Sequence, residues 1–141
     1  MTHKPRIVVT AAVVRRGDTF LVTRRQAGVH LEGYWEFPGG KCDPGESLSE
    51  CLGREMLEEL ATAVRAGREI FSTEHSYPER TVELHFLECE LLGEPRPLLG
   101  QEMRWVSRQD LRSLRFPPAD HELIDLLERE DPTSSSETRS R

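Results

Sequence analysis

The sequence has 141 residues, 36% hydrophobic and 31% charged, with a formal net charge of −6. That length suits one domain able to bury about two-thirds of its unfolded surface, and the composition is that of a soluble globular chain rather than a disordered or membrane-embedded one. The acidic balance argues against a nucleic-acid polymer as partner, because backbone contact needs clustered lysine and arginine; an anionic small molecule remains open if a metal ion supplies positive charge locally.

In chain order, Ile7–Val14 is a β-branched run between basic residues. It is short, contains Thr10, ends in Arg15-Arg16 and has no small-residue cleavage site, so it reads as a buried strand rather than a signal peptide. Gly17-Asp18 marks a turn, and Thr19–Thr23 returns as a second strand, which predicts a hairpin. Arg24–Gly33 is a polar loop. Tyr34–Phe37 is a short aromatic strand stopped by Pro38-Gly39-Gly40, and the loop continues through Glu46. Ser47–Glu50 ("SLSE") fits a capping box, and Leu48, Leu52, Met56 and Leu60 then recur every four residues, the apolar stripe of a core-facing helix.

Two strands follow, near Glu69–Glu74 and at Thr81–Leu91. A loop spans Leu92–Gly100, a last short strand Met103–Val106, and a final helix about Asp120–Arg129 comes after Pro117-Pro118. Residues 1–130 read as a single domain of mixed α+β class, and the polar, Ser-rich tail 131–141 is expected to be disordered. Cys42, Cys51 and Cys89 are odd in number and lack CxxC spacing. No disulfide or thiolate zinc site is expected from them, Cys51 reads as a small buried hydrophobe, and the chain reads as a reduced, cytoplasmic protein.

The chemistry concentrates in Phe37–Ala61, which holds six acidic residues: Asp43, Glu46, Glu50, Glu55, Glu58 and Glu59. Like charges at helical spacing repel by a few tenths of a kcal/mol per pair, roughly. The segment is therefore either a solvated helix face or a site where something positive sits among the carboxylates. Glu55, Glu58 and Glu59, at i, i+3 and i+4, project together from one face, away from the leucine stripe. Arg54 stands four residues before Glu58 and can pair with it. A glycine-rich loop carrying Glu46 leads into this helix, and Gly39-Gly40 lets backbone carbonyls approach a ligand. Several carboxylate oxygens plus a carbonyl make the hard oxygen site that Mg²⁺ or Mn²⁺ prefers.

The same residues resemble the Nudix box: G, five residues, E, seven residues, R-E, an aliphatic, any residue, E-E, any residue, G. Gly40, Glu46, Arg54, Glu55, Met56, Glu58 and Glu59 fall on it in register. Ala61 stands where the pattern has Gly, and Thr62 where it has an aliphatic. Either the helix runs on toward Ala63-Val64, or Ala61 accepts a left-handed conformation at a strain of about 1 kcal/mol. Outside the box, "TRRQAGVHLEGYWEFPGGK", "YPERTVELHF" and "FPPADHELIDLL" look like stretches of MutT-type nucleoside triphosphate pyrophosphohydrolases, so the likeness covers about residues 6–128.

The resemblance implies an α/β/α sandwich with a mixed central sheet, monomeric or homodimeric, away from membranes. It implies Mg²⁺ (or Mn²⁺) and water attack on a bridging diphosphate phosphorus, releasing nucleoside monophosphate and pyrophosphate. Glu55, Glu58, Glu59 and the Gly40 carbonyl would hold metal, Arg54 would orient the glutamates, and Glu102 would be a base or an extra ligand. Arg25, His30, Phe37, Gly39, Lys41, Arg80 and Asp120 would meet the substrate. None of the box glutamates is lost, which argues against a silent nucleotide-sensing module. The MutT sanitiser of oxidised guanine nucleotides has Asn where Asp120 stands, and similar CTP-type enzymes have Asp, so the base stays open between 8-oxoguanine and cytosine types. An ionised Asp only accepts hydrogen bonds. Asp120 could also be no more than the N-cap of the last helix.

Overall fold

The computed structural model describes residues 4–130; the tail 131–141 lies outside them. Two four-stranded sheets form its centre. In the first, β1 (Arg6–Val13) runs parallel to β7 (Thr81–Leu91) and antiparallel to β5 (Gly39–Lys41), while β6 (Val64–Ser76) pairs antiparallel to β7 at the edge. The second sheet joins β2 (Arg15–Arg16), β3 (Thr19–Arg24) and β4 (Trp35–Glu36), with β8 (Met103–Ser107) on the other side of β3.

Sequence alternation explains why the sheets are covered on both faces. Along β1 and just beyond it, Ala11 and Val13 enter one core cluster, and Ala12 and Val14 enter the other. Phe20, Leu21 and Val22 on β3 split in the same way. Strands buried on both faces read as continuous apolar runs, which is the pattern of Ile7–Val14. One cluster packs under α1 (Leu48–Leu60) through Leu52, Met56 and Leu60. The other packs under α2 (His121–Arg129) through Leu123, Ile124 and Leu127. Each such side chain contributes about 2 kcal/mol on burial. The predicted α/β/α layering follows.

Several details depart from the sequence reading. The expected hairpin of Ile7–Val14 with Thr19–Thr23 does not form, because the chain switches sheets at Val14; only Arg15–Arg16 pairs with Thr19–Phe20. Gly39-Gly40-Lys41, expected as loop, forms β5 against β1. Small residues permit this pairing, since a Cβ on Gly39 would lie 2.0 Å from the Thr10 carbonyl oxygen. The strand expected at Glu69–Glu74 extends over Val64–Ser76, with register shifts between Ala66 and Phe71 that break its alternation. At the end of α1, Ala61 takes the left-handed conformation, φ 59°, so the helix stops at Leu60 as a Gly-terminated one would.

The cysteines correct the expectation of a chain without disulfides: Cys42 and Cys51 are disulfide-bonded, with Cα atoms 5.1 Å apart. The loop between β5 and α1 reverses and lays Cys42 against the first turn of the helix. Spacing tests for cysteine motifs do not see such a reversal. Cys89 is a free, buried thiol, and burial pushes it up to about 12.

Candidate active site

Helix α1 begins as the sequence predicts. Ser47 accepts from the Glu50 amide at 3.1 Å, and Glu50 accepts from the Ser47 amide at 2.9 Å. With Cys51, Leu52, Met56 and Leu60 buried, Arg54, Glu55, Glu58 and Glu59 turn toward the β5 loop and solvent. Arg54 is the hub. Its Nε and Nη2 grip Glu46 at 2.7 and 2.9 Å, Nη1 donates to Glu55 at 2.9 Å and Glu58 at 3.3 Å, and Nη2 donates to the Lys41 carbonyl at 3.0 Å. The Arg54 fork, with a further bond from the Asp43 amide, pulls the Glu46 carboxyl down to about 2. Glu46 is thus occupied as Arg54's partner.

Behind this group the charges are less well matched. Glu59 is pushed up to about 8, first by burial and then by the nearby Glu36 and Glu55 carboxylates. Asp120, 6% exposed, is pushed up to about 7 by burial and by Glu36. Burial also raises Glu36, opposed by Arg25, which donates to it at 2.8 Å. At the β5 end, a Cβ on residue 40 would lie 2.3 Å from the Glu55 carboxylate, so glycine there keeps backbone and carboxylate together. The Glu55 and Glu59 carboxylates lie against the Gly39–Gly40 backbone, and burial and neighbouring carboxylates disfavour charge on Glu59, an arrangement that fits a hard divalent cation.

The pattern of the NUDIX domain matches residues 9–126. This chain belongs to the Nudix hydrolase family. It is 37% identical over 125 residues to an 8-oxo-dGTP diphosphatase of Haemophilus influenzae, covering 86% of this chain and 90% of that protein. It is 31% identical over 120 residues to a CTP pyrophosphohydrolase of Escherichia coli, covering 84% and 89%. The MutT protein of Methanosarcina mazei superposes with a TM-score of 0.79 at 25% identity, covering 92% of this chain and 97% of that one.

The remaining predicted site residues of this Nudix hydrolase divide into those near the carboxylates and those elsewhere. Arg25 is held by Glu36 and by the His30 carbonyl, 2.6 Å from its Nε. His30 and Lys41 are exposed, and both contribute backbone carbonyls to arginines. Arg80 is exposed in the β6–β7 turn and makes no side-chain hydrogen bond to the carboxylates among the described residues. The Phe37 ring is buried, stacked on Phe116 at 5.4 Å and edge-on to Phe86 at 6.0 Å, so it supports the site from the core. Glu102 lies between Arg104 at 2.9 Å and Arg24 at 3.3 Å, and both hold its carboxyl low. Asp120 precedes α2 but makes no side-chain capping hydrogen bond, which removes the reading of it as a helix cap.

Glu36 was missed by the sequence reading. Its signal was a lone carboxylate in the aromatic strand Tyr34–Phe37, alternating with Trp35 and Phe37 and so aimed away from their core. A cavity of about 800 Å³ elsewhere, lined by Val14, Arg16, Arg65, Arg68 and Trp105, contains none of the box carboxylates. Donor chemistry, and not volume, marks the candidate site.

Proposed function

We propose that this Nudix hydrolase is a Mg²⁺-dependent nucleoside triphosphate pyrophosphohydrolase that sanitises the nucleotide pool by hydrolysing 8-oxo-dGTP to the monophosphate and pyrophosphate. The observation that carries the reading is Glu59 on the α1 face that also presents Glu55 and Glu58: it is buried against Glu36 and Glu55, bonded by the Gly39 amide, and raised to about 8. Glu55, Glu58, Glu59 and the Gly40 carbonyl would hold the metal, which when bound would supply charge to offset the phosphates and acidify a bound water. Arg54 keeps Glu55 and Glu58 oriented toward it. Arg25, Lys41 and Arg80 offer positive charge to phosphate or base, and Glu102, once released by its arginines, serves as base or further ligand. The relatives named as 8-oxo-dGTP diphosphatases support the substrate.

Asp120 keeps a second reading in play, a CTP-type or modified-pyrimidine triphosphatase like the E. coli relative. An ionised Asp120 accepts from the amino group of cytosine or from the N1–H and N2–H₂ edge of guanine. With its carboxyl near 7, however, Asp120 also carries a proton in part of the population at neutral pH. In that form it can donate to a guanine O6 as an Asn amide does, so Asp120 is compatible with the guanine reading as well. No helix among the described residues is long and apolar enough to cross a membrane, and the proposed location is the cytoplasm.

A pyrophosphate-release screen over normal and oxidised dNTPs and NTPs, with Mg²⁺ and then Mn²⁺, tests the proposal. Phosphorus NMR of the products should show monophosphate and pyrophosphate. Stoichiometric orthophosphate without pyrophosphate sinks the chemistry, and a preference for CTP over 8-oxo-dGTP selects the second reading.

A further inference from the structure

We propose that Cys42 and Cys51 are a reversible redox pair that sets the affinity of the carboxylate site for its divalent metal, with the disulfide form binding metal more tightly. The inference rests on the metal reading of that site given above. Its starting point is placement. Cys42 follows Lys41 directly and lies two residues after Gly40, while Cys51 sits three residues before Arg54 on the same helix. The bond therefore ties the strand that presents the Gly40 carbonyl to the helix that presents Glu55, Glu58 and Glu59.

The loop it closes is already held without it. The Cys42 amide donates to the Val8 carbonyl at 2.8 Å, the Asp43 amide to Glu46 at 2.8 Å, and the Ser47–Glu50 capping box fixes the helix entry. Breaking the bond thus leaves the fold standing and changes local geometry. The two sulfurs must part from a bond of about 2 Å to a non-bonded contact of at least about 3.5 Å. Cys51 has nowhere to go: it is 0% exposed, and the Thr10 hydroxyl lies 3.2 Å from its Sγ. Cys42, half-buried at the surface, is the partner that moves. With the Cys42 amide pinned to Val8, the strain of parting the sulfurs falls on the peptide joining Cys42 to Lys41, whose carbonyl accepts from Arg54 Nη2 at 3.0 Å. Arg54 in turn holds Glu46, Glu55 and Glu58. Reduction therefore reaches the metal ligands through one arginine and one backbone carbonyl.

Accessibility fixes the chemistry. A small dithiol attacks the sulfur of Cys42, the less buried of the two cysteines, forming a mixed disulfide and expelling Cys51 as a thiolate that takes up a proton. The second thiol of the reagent then displaces Cys42, so that the reductant leaves as its own disulfide and the protein gains two electrons and two protons. A small organic disulfide reverses the exchange and is released as two thiols. In a reducing compartment a disulfide beside a catalytic cluster is of the transient, redox-sensing kind rather than a structural staple.

The test uses the full chain and Mn²⁺ alone as the probe, so that no substrate enters. After treatment with a small disulfide, alkylation of the denatured protein should label one thiol, Cys89, and after dithiol treatment all three. Mn²⁺ titration should show weaker binding in the reduced protein by about tenfold, the scale of losing an outer-sphere partner of a metal ligand. Cys42→Ser should bind like the reduced form whatever the treatment, while melting cooperatively. Labelling of three thiols after the oxidising treatment overturns the proposal, as does equal Mn²⁺ affinity in the two states. Redox-dependent Mn²⁺ binding in a protein inactive on every nucleotide would sink the substrate reading above and leave this one standing.

Discussion

Two groups of carboxylates lie side by side in this molecule and are treated oppositely. Asp43, Glu46, Glu55 and Glu58 surround one guanidinium, and Glu46 is held down to about 2 by it. Glu36, Glu59 and Asp120 share a more buried region with only Arg25 against Glu36, and all three are pushed up. The first group is gathered around a cation of the protein, although one guanidinium for four carboxylates leaves negative charge over at Glu55 and Glu58. The second is not, and it pairs burial with mutual repulsion, an arrangement that a bound cation or a hydrogen-bond-donating base relieves. On the proposed function, the metal's charge would act first on Glu59, and Asp120 would be relieved by hydrogen bonding with the base.

The strongest way to break this contrast is Glu59→Gln, which removes a proposed metal ligand while relieving repulsion. Turnover should fall by at least about 100-fold, the upper end of the cost of losing even an outer partner of a metal site, while the apo protein still folds. Near-wild-type turnover at saturating Mg²⁺ would place the catalytic site elsewhere.

Asp120→Asn sharpens the other half. For a base that presents donors to the carboxylate, losing one charge-assisted hydrogen bond costs about 1.5–3 kcal/mol, or roughly 10- to 150-fold in kcat/KM. A guanine presenting O6 should be tolerated or improved. Comparing kcat/KM for the best guanine and cytosine triphosphates decides between them, and a uniform change below about threefold would mean that Asp120 does not read the base.

The pH dependence of apo stability separates the two groups directly. Glu59 and Asp120 have folded-state pKa values of about 8 and about 7, above the unfolded values of 4.5 and 3.8. Their stabilising contribution is fully present below the unfolded values and is lost as pH rises through the folded ones. Glu46 acts in the other direction. Its contribution is present above 4.5 and is lost as pH falls toward about 2, so it stays constant across the neutral range. The apo wild type should therefore lose more Tm between pH 5 and pH 8.5 than Glu59→Gln or Asp120→Asn does. Parallel melting profiles for all three would show that the second group is not strained.

The smallest effect expected is at the end of the helix that carries carboxylates from both groups. Ala61→Gly replaces a left-handed alanine, φ 59°, and should stabilise by about 1 kcal/mol, a few degrees in Tm. Turnover should not change, because the proposed ligands precede this turn; a large change would tie the helix exit to catalysis.

Local rules were enough to read part of this protein from its sequence. The capping box, the four-residue leucine stripe and the i, i+3, i+4 glutamates depend only on helix periodicity, so α1 and the box carboxylates on it were visible from spacing. The double-sided burial of the run ending at Val14 was visible as apolar residues on both faces, with Thr10 the one polar member. What the sequence could not settle was decided by contacts between distant segments. Glu36 becomes part of the site only because β4 carries it beside Asp120 and Glu59, residues far from it in the chain. Asp120 is a buried carboxylate rather than a helix cap because its neighbours are buried charges and not the amides of its own helix. The Cys42–Cys51 bond exists because β5 pairs with β1 and turns the following loop back onto α1. Periodicity reports which face a side chain takes on its own element, whereas burial and electrostatic coupling depend on what the fold packs against that face.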